Sequence, residues 1–116
     1  MTVRRIVANI AAGDISRARA FYGDVLDLDV VMDHGWIVTF ASGAAAPAQV
    51  SIASAGGSDQ PVPDLSIEVD NLDEVIGRLA RAGFPLVYGP AVEPWGVRRL
   101  FVRDPFGRLV NILTHI

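Results

Sequence analysis

The sequence predicts an α+β fold made of two successive βαβββ modules. Three observations predict it. Residues 10–22 (IAAGDISRARAFY) and 67–79 (IEVDNLDEVIGRL) repeat one order of events about half a chain apart: a strand end, a capping residue, then an amphipathic helix. Each helix is followed by short strand-like runs rather than by more helix. Between the halves lies residues 54–63 (SAGGSDQPVP), rich in Gly, Ser and Pro and read as a linker. The first module then covers about residues 1–53 and the second about 64–116.

Residues 4–11 alternate Ile6, Ala8 and Ile10 with Val7, Asn9 and Ala11, the period of a half-buried strand whose Ile-bearing face lies under a helix. Asp14 is placed to cap that helix, because its carboxylate accepts from an orphan N–H of the first turn. Ile15, Ala18, Tyr22, Val25 and Leu26 recur at helical spacing as its apolar stripe, and Phe21 with Tyr22 is assigned to packing. Strand-like runs come next at 28–32, 36–41 and 48–53, divided by Asp33-His34-Gly35 and the loop 42–47. Gly56-Gly57 lacks the strand-to-helix setting of a phosphate loop and reads as flexible linker. In the second module the strand 64–69 leads to Asn71 as N-cap, with Glu74 as half of a capping box and Leu72, Val75, Ile76 and Leu79 as the stripe. Gly83 ends this helix. Runs at 85–88, 98–103 and 108–114 complete the module, with Asp104-Pro105-Phe106-Gly107 as the last turn.

The strand faces turned from the helices are mixed polar and apolar. Ser66 and Glu68, Gln49 and Ser51, and Asn111 between Leu109 and Leu113 all fall there. Such a face is either solvated, as in an ordinary two-layer domain, or the lining of a cup that takes a small molecule.

Composition removes several functions. The 116 residues carry 10 basic and 13 acidic side chains for a net charge of −3, with no basic stretch of the kind that tracks nucleic acid. There is no cysteine, so thiolate chemistry and disulfides are excluded. All the basic side chains are arginine, which excludes a lysine Schiff base. Mean hydropathy is +0.36, yet no apolar run approaches the ~20 residues of a membrane span. A cytoplasmic protein is expected.

The segments DISRARAFYGDVLDL, IEVDNLDEVIGRLARAGF and PWGVRRLFVRDPFGRLVNIL resemble the vicinal oxygen chelate superfamily of glyoxalases, bleomycin-resistance proteins and extradiol dioxygenases, over nearly the whole chain. The resemblance implies a half-open barrel of two βαβββ modules, a homodimer, and a small-molecule ligand in each concave sheet. Its enzymatic members hold a divalent metal through His, Glu or Gln. Carried across, those ligand positions fall at Val7, Ser51, Asp64 and Asn111, of which only Asp64 is a strong donor, whereas a catalytic transition metal needs about three. No metal and no other cofactor is therefore expected.

The resemblance and the alternation together nominate a ligand surface. Its polar members are Asn9, Gln49, Ser66, Glu68, Arg99 and Asn111. Its aromatic members are Trp36, Phe40, Phe101 and Trp95 in the Pro94-Trp95-Gly96 bend, the last weighed also as a packing plug. Arg99 and Phe101 share a face if Leu100 and Val102 lie under the helix. Glu68 is a weak catalytic candidate, either a general base or a structural partner of an arginine. His34 and His115 read as surface or packing residues off the ligand strands. The expected function is metal-independent binding of a drug or metabolite. The alternative is a lyase, isomerase or dioxygenase with a divalent metal around Asp64 or with Glu68 as base, and a module working through protein contacts is the third reading.

Overall fold

The computed structural model describes residues 1–43 and 49–116, in two compact units. One unit comprises Val7–Val62, the other Met1–Ile6 with Pro63–Ile116. The first strand, β1 (Val3–Ala11), thus contributes to both.

In the Val7–Val62 unit, β2 (Asp29–Asp33), β3 (Ile37–Ala41) and β4 (Gln49–Ala53) join β1 in the order β2-β3-β4-β1. The β1–β4 pair is parallel, with Asn9 beside Ser51 and Ile10 beside Ile52, and the others are antiparallel. The expected first residue of the third run, Ala48, and part of the loop before it lie outside the described residues. Asp14 does cap, accepting from the Ser16 N–H. The segment it caps is not an α-helix. A 3-10 turn, Ile15–Arg17, leads into a π-helical segment, Arg19–Val25, in which the Leu26 N–H donates back five residues to the Phe21 carbonyl at 3.1 Å.

That winding redistributes the predicted stripe. Ile15, Ala18 and Tyr22 pack on the buried Val38, Phe40 and Ile52, but Val25, Leu26 and Phe21 face solvent. A period set for 3.6 residues per turn misplaces everything after the π turn. The helical segments also cover β3 and β4 rather than β1, so Ile6 and Ile10, expected beneath a helix, are exposed. Residues 56–60 form a closed turn and not a flexible linker: the Gly56 N–H donates to the Gln60 carbonyl, and a Cβ on Gly56 would meet the Pro61 carbonyl oxygen at 2.0 Å.

In the other unit, β5 (Leu65–Val69), β6 (Leu86–Glu93), β7 (Val97–Arg103) and β8 (Leu109–His115) are ordered β5-β8-β7-β6. The β5–β8 pair is parallel. The single α-helix here, α1 (Leu72–Ala82), begins at Asn71, whose side chain accepts from the Glu74 N–H, and ends at Gly83 in the left-handed conformation. Its stripe covers Val69, Leu100, Val102 and Val110, which form the core of this unit. Strand β6 runs past the predicted end at Tyr88 through Gly89-Pro90 to Glu93. A Cβ at Gly89 would meet the Arg99 carbonyl oxygen at 2.5 Å, so its glycine lets β6 press against β7. Among the described residues no helix is long and apolar enough to cross a membrane.

Candidate functional site

Because α1 takes Leu100, Val102 and Val110, strand alternation turns Arg99 and Phe101 of β7 and Asn111, Leu113 and His115 of β8 to the opposite face, with Ser66 and Glu68 of β5. Register makes this face continuous: Ser66 stands beside Asn111, Glu68 beside Leu113, Phe101 beside Asn111, and Val97 beside His115.

A polar stripe runs along the parallel pair. Asn111 Nδ2 donates to Ser66 Oγ at 3.1 Å, while Asn111 Oδ1 is buried and has no hydrogen-bond partner among the described residues. Two positions further along β5, Glu68 Oε2 meets His115 Nδ1 at 2.9 Å, and its Oε1 lies 3.3 Å from Arg5 Nε. His115 was expected off the ligand strands. It belongs to β8, because that strand extends beyond the predicted end, and the period-two series Leu109, Asn111, Leu113, His115 carried that signal.

Beside the stripe lies a buried charge. Arg99 is 3% exposed, and its guanidinium carbon sits 4.9 Å from the Trp95 ring centre, 4.7 Å from Phe101 and 5.5 Å from Tyr88. This is cation–π geometry on three rings. Arg99 Nε lies 3.4 Å from Glu93 Oε1, a charge contact without hydrogen-bond alignment, and the Tyr88 hydroxyl donates to the same oxygen at 2.5 Å. Strand alternation nominates Arg99 and Phe101, and the family resemblance nominates Trp95, but neither nominates Tyr88 or Glu93. The Gly89-Pro90 pair interrupts the alternation of β6, and register shifts on either side of Tyr88 hide which of its residues face β7's lining.

In the Val7–Val62 unit, Asn9 stands beside Ser51, Gln49 beside Ala41, and Ser51 Oγ hydrogen-bonds Thr39 Oγ1 at 2.7 Å within the buried sheet. Phe40, nominated for the ligand surface, lies instead on the helical side with Tyr22 5.7 Å away, fully buried. Its neighbours Val38 and Ile52 are there too, because residues 38 and 40 share the strand parity that the helical segments cover. Trp36 is half-buried and stacks on His34.

The residues at the superfamily's metal positions do not fit a metal. Val7 has no lone pair and is buried. Ser51 is engaged with Thr39. Asp64 Oδ2 accepts the Leu109 backbone N–H at 3.0 Å while the Asp64 N–H donates to the Leu109 carbonyl, so this carboxylate registers β8 on β5. Asn111 is a neutral amide bound to Ser66. Among the described residues no three His, Cys, Asp or Glu side chains converge as a metal shell would require.

Known proteins share this arrangement of strands. The family model of the glyoxalase-like domain matches residues 6–116. A member of the glyoxalase/bleomycin resistance protein/dioxygenase superfamily from Vibrio splendidus 12B01 superposes with a TM-score of 0.67 at 18% identity, covering 99% of this chain and 100% of that one. Methylmalonyl-CoA epimerase from Mycobacterium tuberculosis gives 0.64 at 22% identity, with 98% and 87% covered. A structure named NAD-dependent benzaldehyde dehydrogenase, from Legionella pneumophila, gives 0.76 at 13% identity, with 97% and 100% covered. At these identities the likeness establishes the βαβββ-type fold alone. No curated protein matches the chain at a significant level.

Proposed function

The chain belongs to the family of glyoxalase-like domains, and on that premise we propose that it binds a small, partly apolar organic molecule without a resident metal ion. The observation that carries this reading is the chemistry at the family's donor positions: valine at one, a serine hydroxyl bonded to Thr39 at another, a neutral amide at Asn111, and at Asp64 the one carboxylate, which already accepts the Leu109 backbone N–H. A face so arranged offers no Lewis acid. It does offer what a ligand site needs, an aromatic surface and a few placed polar groups, in the half-buried Trp95 and in Ser66 and Asn111. The buried Asn111 Oδ1 lacks a donor, and a ligand hydroxyl or amide supplies one.

The protein in this reading sequesters a drug or metabolite in the cytoplasm as a homodimer. Exposed Ile6 and Ile10 on β1 supply apolar surface for a second copy. Elemental analysis and native mass spectrometry of protein purified without chelator are the test. Substoichiometric transition metal, an organic mass carried by the folded protein and the mass of a dimer are expected. About one tightly held metal ion per chain would overturn the reading in favour of a metal-dependent lyase, isomerase or dioxygenase.

A further inference from the structure

Between the C-terminal half of α1 and the start of the edge strand β6 lies an open groove of about 510 Å³. It sits on the helix side of the sheet, since Leu86 pairs with Val102 of the core, and so on the face opposite Asn111 and Ser66. Helix α1 contributes Ile76, Leu79 and Ala80, and the chain entering β6 contributes Phe84, Pro85 and Leu86. No side chain of that lining is polar. Ile76, Leu79 and Leu86 are only half-buried, while Ala80, Phe84 and Pro85 are exposed, so a continuous apolar surface stands in water here. Its volume is that of a cleft for a small molecule.

The groove has a cation at its rim. Gly77 is of the residue type least suited to a helix interior after proline, and the guanidinium of Arg81, one turn on, lies back over it. Arg81 Nη1 is 3.5 Å from where a Cβ on Gly77 would stand. The guanidinium thereby lies along the turn that carries Ile76 and Ala80. Among the described residues no carboxylate pairs with Arg81, whereas Arg78 is held by Glu74 at 2.7 Å. A helix C-terminus repels anions through its unsatisfied carbonyls, but two of those at this end are already engaged. The Leu79 carbonyl accepts from the Phe84 N–H at 3.0 Å and the Ala80 carbonyl from the Gly83 N–H at 3.3 Å. An apolar trough with a cation at its edge and no acid in its lining complements an aliphatic chain that ends in a carboxylate. We propose that the α1–β6 groove is a second binding site, for a free medium-chain fatty acid, with the chain along Ile76, Leu79, Phe84 and Leu86 and the carboxylate at Arg81. The span from Ile76 to Gly83 sets the length, because seven residues of helical rise cover about 10 Å, room for a tail of roughly eight carbons. This site is independent of the ligand surface on the β5–β8 face.

The probe is octanoate, titrated into the full chain and followed by methyl carbon–proton NMR. Octanoate shifts the methyl resonances of Ile76, Leu79 and Leu86 and leaves the Asn111 side-chain amide in place. Hexanoate, two methylenes shorter, binds roughly tenfold more weakly. Arg81→Gln weakens octanoate roughly fivefold and leaves octan-1-ol unaffected, while Arg78→Gln changes neither. Ala80→Glu, at an exposed position, abolishes binding of both with an unaltered circular dichroism spectrum and Tm. Absence of methyl shifts at millimolar octanoate, an affinity indifferent to Arg81→Gln, or shifts at Asn111 in their place overturns the proposal. So does another occupant: a dimer that Ala80→Glu disrupts, or binding to phosphatidylglycerol vesicles that Ala80→Glu abolishes. None of these outcomes bears on the metal-free ligand surface, which stands or falls by the elemental analysis.

Discussion

Arg99 is the residue on which the β6–β7 hairpin turns. Its side chain is 4% exposed and that of Glu93 2%, so each desolvated charge depends on the other and on the rings around the guanidinium. Removing one partner of such a pair costs more than the pair is worth, because the remaining charge stays buried. Arg99→Met therefore destabilises the protein by about 3–5 kcal/mol in denaturant unfolding. Adding Glu93→Gln to that variant recovers most of the loss, since the amide still accepts from the Tyr88 hydroxyl and no longer carries charge. A double variant no more stable than Arg99→Met would show that the arginine acts through ring packing alone. At the surface, smaller effects set the acid limit. Asp14 is held below the usual carboxylate range by the Ser16 hydroxyl and then its N–H, and Asp70 by the Thr2 backbone N–H. A carboxyl lowered in the folded state stabilises above its ordinary pKa, ~3.9, and that contribution is lost as the pH falls through the lowered folded value. Thermal melts between pH 5 and pH 2 check this: Asp14→Asn and Asp70→Asn each flatten the decline in Tm on the acid side.

At the scale of elements, what was legible depended on whether the local signal and the packing agreed. Helix α1 is written twice, in its stripe and in its ends: Asn71 accepts from the Glu74 N–H, and Gly83 takes the left-handed conformation that stops the helix. Asn71→Ala leaves that N–H without its cap and costs about 1 kcal/mol, read as a lower denaturation midpoint at unchanged m. An unaltered midpoint would place the stability of α1 in its buried stripe alone. The first module's helical region spells a similar stripe but winds as 3-10 and π turns, so Tyr22 lands in the core while Val25 and Leu26 do not. Periodicity assumes a winding that the sequence does not itself declare. Alternation has the same limit on β1, whose Ile6 and Ile10 share the parity of a core face that no helical segment covers. On β7 and β8 alternation succeeded, separating Leu100 and Val102 from Arg99 and Phe101. Pairings between distant strands, such as Glu68 with His115 and Arg99 with Glu93, were legible only as shared faces, since neither partner's register is encoded locally.

For the molecule as a whole, the family's fold is present, and the proposed absence of a resident metal makes a prediction about the entire folding equilibrium. A metal ion that bound the folded chain and not the unfolded one would add about 2.7 kcal/mol at a concentration one hundred times its Kd, a rise in Tm of roughly 10 °C for a chain of this size. With Asp64 the one carboxylate among the four donor positions, and that one engaged by the Leu109 backbone N–H, no such term is expected. Scans with added zinc, manganese, nickel or ferrous iron, and with EDTA, should therefore superimpose on the scan of the untreated protein. Weak coordination by the exposed His34 or His115 imidazoles is distinguishable, because it disappears in His34→Gln or His115→Gln and gives only small shifts at millimolar ion. A rise of the full size, abolished by EDTA and surviving both histidine substitutions, would mean that Asp64 releases the Leu109 N–H to coordinate a cation. The strand-registering role assigned to that carboxylate would then give way to a metal centre.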